Sequence, residues 1–169
     1  MRQADDIDEL VPGWERDGLS PSLVAIIELS KRTSRLHQLF ERGTRAELAD
    51  LGLTYAEFDV LAALRRAGAP YRLKPSELSR ALLLTSGGTS NVLQRLTKAG
   101  HVAREANTGD ARSRYVHLTP QGLAQAEKAL AAVGRVHEEA MTGIPPESIR
   151  QAADALREIT APLSHRRYQ

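Results

Sequence analysis

Between Gly100 and Thr119 the chain leaves the three-to-four-residue apolar spacing that governs its other long segments. From Ser113 to Leu118, Tyr115 and His117 alternate with Val116 and Leu118, the period of a strand, and His101 to Ala106 fits a second strand. The turn signal Asn107-Thr108-Gly109-Asp110 joins them as a hairpin. One hairpin set among helices restricts the chain to a mainly helical α+β class.

The flanking segments narrow this further. Asp5 to Arg16 reads as a short helix carrying the only tryptophan, Trp14. Ser20-Pro21 starts a longer one with Leu23, Ile26, Ile27, Leu36, Leu39 and Phe40 on one stripe, and Gly43 reads as its end. A minor helical turn is expected over Arg45 to Leu51, stopped by Gly52. Thr54-Tyr55-Ala56-Glu57 is a capping box opening a helix that buries Phe58, Leu61 and Leu64. Pro75 begins a short helix with Leu78, Leu82 and Leu83. Thr85-Ser86-Gly87-Gly88 reads as a tight turn, and a second helix follows it to Gly100. After the hairpin, Thr119-Pro120 and Pro145-Pro146 start two more helices. The order is that of a winged helix-turn-helix with helical extensions at both ends: residues 1–53, an extra helix plus a dimerisation helix; 54–118, the winged lobe; 119–169, C-terminal dimerisation helices. Terminal helices with apolar stripes and no sheet to cover them are expected to pack against a second copy.

Charge distribution points to a partner. From Arg65 to Arg114 there are ten basic and three acidic residues, a local +7 in a chain of +2, so the remainder sums to −5. A near-neutral protein with one basic segment suggests a local polyanion site. With no cysteine, thiolate nucleophiles and Cys-based zinc sites are excluded. The five histidines, at 37, 101, 117, 137 and 165, lack metal-motif spacing. No cofactor motif and no membrane-length apolar run is present, so the expectation is a cytoplasmic protein that is not an enzyme.

In the helix from Gly87 to Ala99, Val92, Leu93 and Leu96 suit an inward face. Thr89, Ser90, Asn91, Gln94, Arg95 and Lys98 are expected outward, with short hydrogen-bonding groups near the N-terminus and cations toward the C-terminus. A helix presented to the major groove needs that arrangement. Ser86 and Gly88 join the candidates, since a glycine turn at a helix N-terminus lets backbone approach a phosphate. In the hairpin, Asp110 is expected to pair with Arg112 and direct its guanidinium outward, where a narrow minor groove has the strongest negative potential. Arg114 and Arg104 are placed for flanking phosphates.

Together L-T-Y-A-E-F-D-V-L, K-P-S-E-L, T-S-G-G-T-S-N-V-L-Q-R-L-T-K-A-G-H-V and D-A-R-S-R-Y-V-H-L-T-P-Q-G resemble the MarR family of dimeric winged-helix transcription regulators, over about residues 22–163. The resemblance implies a homodimer held by the N- and C-terminal helices and a palindromic double-stranded DNA operator. It implies that the second motif helix enters the major groove, with Asp110 matching the wing-fixing acid and Arg112 the minor-groove arginine.

The acidic extension D-D-I-D-E-L-V-P-G-W-E-R-D-G-L-S-P, with F-D-V-L and T-S-G-G, is similar to the family's urate-responsive branch, whose members bind urate or related anionic or phenolic effectors. On that resemblance Trp14, Asp59 and Arg104 match ligand-site residues. Val92 stands where that branch carries an arginine, which removes a cation that would pair with an anionic ligand and leaves the effector unassigned. An aromatic staple for Trp14 and a capping or core hydrogen bond for Asp59 are the alternatives. The rival for the whole chain is a winged-helix protein-interaction module without operator binding, which the basic segment and polar helix face disfavour because protein interfaces centre on apolar anchors.

Overall fold

A computed structural model describes residues 4–82, 86–106 and 114–163, in two compact units, Met1–His137 and Glu138–Gln169. The first unit begins with a turn rather than the helix expected from Asp5. The Asp5 carboxylate accepts the amides of Ile7 and Asp8 at 2.9 and 3.1 Å, an arrangement that competes with helix. Pro12 is tolerated only in a first turn, so α1 spans just Val11–Arg16. Arg32 of the next helix holds this segment down through Asp5 and Asp8 at 2.9 and 2.8 Å, Arg35 pairs with Asp6, and Ile7 is buried beneath.

Helix α2 runs unbroken over Pro21–Asp50, with the Ser20 side chain accepting the Leu23 amide at its start. Gly43 does not end it, and the separate turn expected over 45–51 is part of the same helix. A Cβ at Gly43 would lie 2.5 Å from Val136 Cγ1, so the glycine serves a close helix crossing. The stop is Gly52, at φ 68°, where the left-handed conformation favours glycine.

Helix α3, Tyr55–Arg66, opens with the expected capping box: Thr54 N donates to Glu57 Oε2 at 2.8 Å, and Glu57 N donates to Thr54 Oγ1 at 3.3 Å. It supplies Phe58, Val60, Leu61 and Leu64 to the core. There they meet Leu78 of α4 (Pro75–Leu82), Val92, Leu93 and Leu96 of α5 (Ser86–Lys98), and Ala126, Ala129 and Val133 of α6 (Pro120–Ala140). Strand β1, Arg72–Leu73, precedes α4 and was not expected, because two residues carry no readable period. Strands β2, Val102–Ala106, and β3, Arg114–Leu118, form the expected hairpin ladder, with Val102 opposite Leu118 and Glu105 opposite Tyr115. The sheet is antiparallel in the order β1-β3-β2.

Thr119 joins the sheet to α6. Its hydroxyl accepts the Gly122 amide at 3.0 Å and donates to the Gly100 carbonyl at 2.7 Å, while its amide donates to the His101 carbonyl at 3.1 Å. Gly122 lies so close to that carbonyl that a Cβ has no room. In the second unit α7, Pro146–Leu163, exposes Ile149, Ile159 and Leu163. Among the described residues no helix is long and apolar enough to cross a membrane.

Candidate nucleic-acid interface

The local sequence builds a helix-turn-helix in which α4 seats α5. Glu77 at the third position of α4 accepts the Lys74 amide at 2.7 Å, closing the helix start. Leu78 is fully buried against Leu93 and Leu96 of α5 in the common core. Thr89, expected on the outward face, is instead 1% exposed, and its hydroxyl accepts a 2.9 Å hydrogen bond from Ser79 of α4. It falls on the same helical side as Val92, Leu93 and Leu96, and its short hydroxyl finds a polar partner there. Thr89 therefore fixes how α5 is rotated on α4 rather than facing a ligand.

The remaining outward residues lie as expected. Ser90, Asn91, Gln94, Arg95 and Lys98 are all exposed. The helix starts at Ser86, so Gly87 and Gly88 form its first turn instead of a separate tight turn, and a side chain at Gly87 would meet only open space. A depression of about 510 Å³ runs between this face and β2, lined by Ser90, Gln94, Thr97, Lys98 and Arg104. Arg104 thus sits beside the exposed polar face of α5. Neither Lys98 nor Arg104 has a carboxylate within 4.0 Å among the described residues, whereas Arg32, Arg35 and Arg45 on α2 are all paired. Unneutralised cations on a concave polar face are what a polyanion would meet.

Asp110 and Arg112 of the wing lie outside the described residues. Arg114 opens β3, its backbone opposite Ala106. Next to it, the Tyr115 ring carries the Arg72 guanidinium at 4.9 Å and the Lys74 ammonium at 5.7 Å from its centroid. Arg72 also reaches Glu105 at 3.7 Å, and His117 Nδ1 lies 3.5 Å from the same carboxylate. Sequence reasoning missed this cluster because it depends on the unforeseen strand β1.

The three residues matched to a ligand site line different places. Asp59, half-buried on α3, faces a cleft of about 370 Å³ with Glu41 and Arg45 of α2, Thr54, Tyr55 and Arg95. Burial pushes its carboxyl above the ordinary value, with the Arg66 charge pulling the other way. Burial likewise raises the Tyr55 phenol, helped by the negative charges of Asp59 and Glu41. Capping of α3 is done by Thr54 and Glu57, not by Asp59. Arg104 lines the depression beside α5 described above, and Trp14 is half-buried on α1, which packs on α2. Arg95 brings α5 to the Asp59 cleft, pairing through Nε with Glu57 Oε1 at 3.1 Å. The capping-box pattern had accounted for Glu57 completely, so nothing in the sequence pointed to that pair.

The family model described as MarR family matches residues 51–113. The HTH-type transcriptional regulator PecS of Dickeya dadantii is 34% identical over 136 residues, covering 79% of this chain and 76% of that protein. The multiple antibiotic resistance protein MarR of Escherichia coli is 30% identical over 125 residues, covering 73% of this chain and 85% of that protein. A crystal structure of a mutant E. coli MarR complexed with operator DNA superposes with a TM-score of 0.70 at 28% identity, covering 83% of this chain and 99% of that one.

Proposed function

We propose that this chain, which belongs to the MarR family of transcription regulators, acts as a homodimeric repressor on a palindromic operator and releases it when a small anionic or phenolic ligand binds. The observation that carries the DNA reading is the outward face of α5. Its exposed polar residues and unpaired Lys98 follow a buried α4 contact and adjoin the unpaired Arg104 of the sheet. In this reading Ser90, Asn91 and Gln94 reach base edges in the major groove. Lys98, Arg104 and Arg114 meet phosphates, with Ser86 and Gly88 placing the start of α5 against the backbone. Asp110 aims Arg112 into the minor groove. Residues 54–118 form the DNA-binding lobe, and residues 1–53 and 119–169 serve dimerisation.

Support for a second copy comes from apolar side chains left in solvent. On α2, Leu23, Ile26, Leu36 and Leu39 are 42–59% exposed, and α7 separately exposes Ile149, Ile159 and Leu163. The effector reading rests on the Asp59 cleft, where Arg45, Arg95 and the Tyr55 phenol are the groups that suit an anionic or phenolic guest, with Trp14 and Arg104 as further candidates.

A mobility-shift titration with the DNA upstream of the chain's own gene tests the central claim. Binding should weaken linearly in log–log form with salt, with half-sites about one helical turn apart. Arg112→Ala should cost roughly 1–3 kcal/mol of operator affinity. An unchanged affinity in that variant removes the wing from the reading. Thermal-shift titrations with urate, phenolics and small carboxylates, on wild type and Trp14→Ala, test the effector. A ligand shift in wild type that Trp14→Ala loses supports the reading; no shift with any of these ligands removes the effector from it.

A further inference from the structure

Glu57 is buried, 9% exposed, yet it carries a charge, and its two oxygens face different elements. Oε2 accepts both the amide and the hydroxyl of Thr54, each at 2.8 Å, which locks the carboxylate to the start of α3. Oε1 is left over and lies 3.1 Å from Arg95 Nε. A capping box needs only the first of these contacts. The second sets the exposed Arg95 side chain, on the flank of α5, as an ion pair whose inner nitrogen lies against the Glu57 carboxylate. Both Nη groups, the edge that recognises phosphate in a forked geometry, stay without a hydrogen-bond partner among the described residues on a side chain that is 57% exposed.

We propose that Glu57 is a positioning residue for DNA recognition: clamped by Thr54, it orients the Arg95 guanidinium so that its Nη edge meets a backbone phosphate beside α5. This rests on the DNA-binding reading above and adds a residue that touches no DNA. Arg95 flanks the line of Asn91, Gln94 and Lys98, on the side of the helix that carries the Glu57 contact, so it is assigned a phosphate rather than a base edge. Phosphate contacts set register without carrying sequence information. An exposed, freely rotating arginine would lose side-chain freedom on binding, whereas one held beforehand loses less.

The test is a double-mutant cycle on the upstream DNA fragment, read by fluorescence anisotropy across a salt series. Arg95→Ala should weaken binding several-fold, equally for specific and scrambled duplexes, and lower the log–log salt slope by about one. Glu57→Asp keeps the charge but shortens the reach, and Glu57→Gln keeps the length and the capping box but removes the charge. Each should reproduce most of the Arg95→Ala loss, and neither should add to it in the Arg95→Ala background. If Glu57→Gln tightens binding while Glu57→Asp leaves it unchanged, Glu57 is merely a repelling charge and the proposal fails. It also fails if either Glu57 variant still weakens binding once Arg95 is gone, the sign of a folding role that a lowered thermal midpoint would accompany. Wild-type protein that binds no duplex at all sinks the DNA reading itself, a result distinct from wild-type binding that ignores Arg95.

Discussion

Gly122 explains the last letter of the V-x-L-T-P-Q-G run, and its replacement has a calculable cost. The His101 carbonyl accepts the Thr119 amide at 3.1 Å and occupies the space that a Cβ on residue 122 would need. The obstacle is backbone, so no rotamer change relieves it. Gly122→Ala must push the carbonyl away and lose that hydrogen bond, at about 1 kcal/mol. Overpacking strain adds roughly 1–3 kcal/mol, and the better helix propensity of alanine returns about 1 kcal/mol. The net is a destabilisation of about 1–3 kcal/mol, or a midpoint lowered by roughly 3–10 °C in a chain of this size. Gly134, on the same helix, has nothing within 4 Å of its missing Cβ. Gly134→Ala should therefore be neutral or stabilising by up to about 1 kcal/mol. Thermal and urea unfolding of both variants, at one protomer concentration so that association does not intrude, measure the difference. Equal stability of the two variants would refute the close-approach account of Gly122.

Thr54→Ala removes the hydroxyl that caps α3 and also one anchor of the Glu57 carboxylate; it should cost about 1–2 kcal/mol in urea unfolding, while Thr54→Ser should cost little. Asn91→Ala should relax base preference in a competition assay against substituted duplexes, whereas Lys98→Ala should weaken all duplexes alike and reduce the salt slope by about one. Asp5 and Asp6 are held below the ordinary carboxylate range by Arg32 and Arg35, so their contribution is present above pH 3.8 and lost as the pH falls through their lower folded values. Fluorescence of Trp14, the sole tryptophan, should report release of this segment on acidification, and at neutral pH in Arg32→Ala. Asp59 runs the other way: with its folded value raised by burial, stability falls as pH climbs from 3.8 through the folded value, a slope that Asp59→Asn should abolish.

Much of this architecture was legible because it rests on local rules. The capping box at Thr54, the proline starts of α2, α4, α6 and α7, and the period-two run into Leu118 each name a structure within a few residues. Glycines were the weak point, since the same residue ends a helix or admits a neighbour. Gly43 reads as a stop and proves to be a crossing with Val136, while Gly52, expected to end only the short turn before it, ends the whole of α2. Thr89 was placed outward because threonine is polar; the partner that draws it inward, Ser79, lies ten residues away on another helix. The Glu57–Arg95 pair was hidden for the same reason, as it joins residues 38 positions apart.

The joints around α5 differ in strength, and that bears on how such a domain could be switched. The hairpin is tied to α6 through the half-buried Thr119–His101–Gly122 contacts, which cannot shift without breaking hydrogen bonds. The start of α6 is also held to the end of α2, where Gln125 Nε2 donates to the Leu51 carbonyl at 2.9 Å. Toward α3, α5 has the shared apolar core and the Glu57–Arg95 pair, whose arginine is more than half exposed and screened by solvent. Apolar contacts tolerate small sliding better than hydrogen bonds tolerate misalignment, because they are non-directional. A rearrangement of α5 therefore costs least on its α3 side, the side on which the Asp59 cleft opens. A ligand there need exceed only the ion pair and a small shift in packing, whereas one acting through the hairpin base would have to break the junction that Gly122 makes possible.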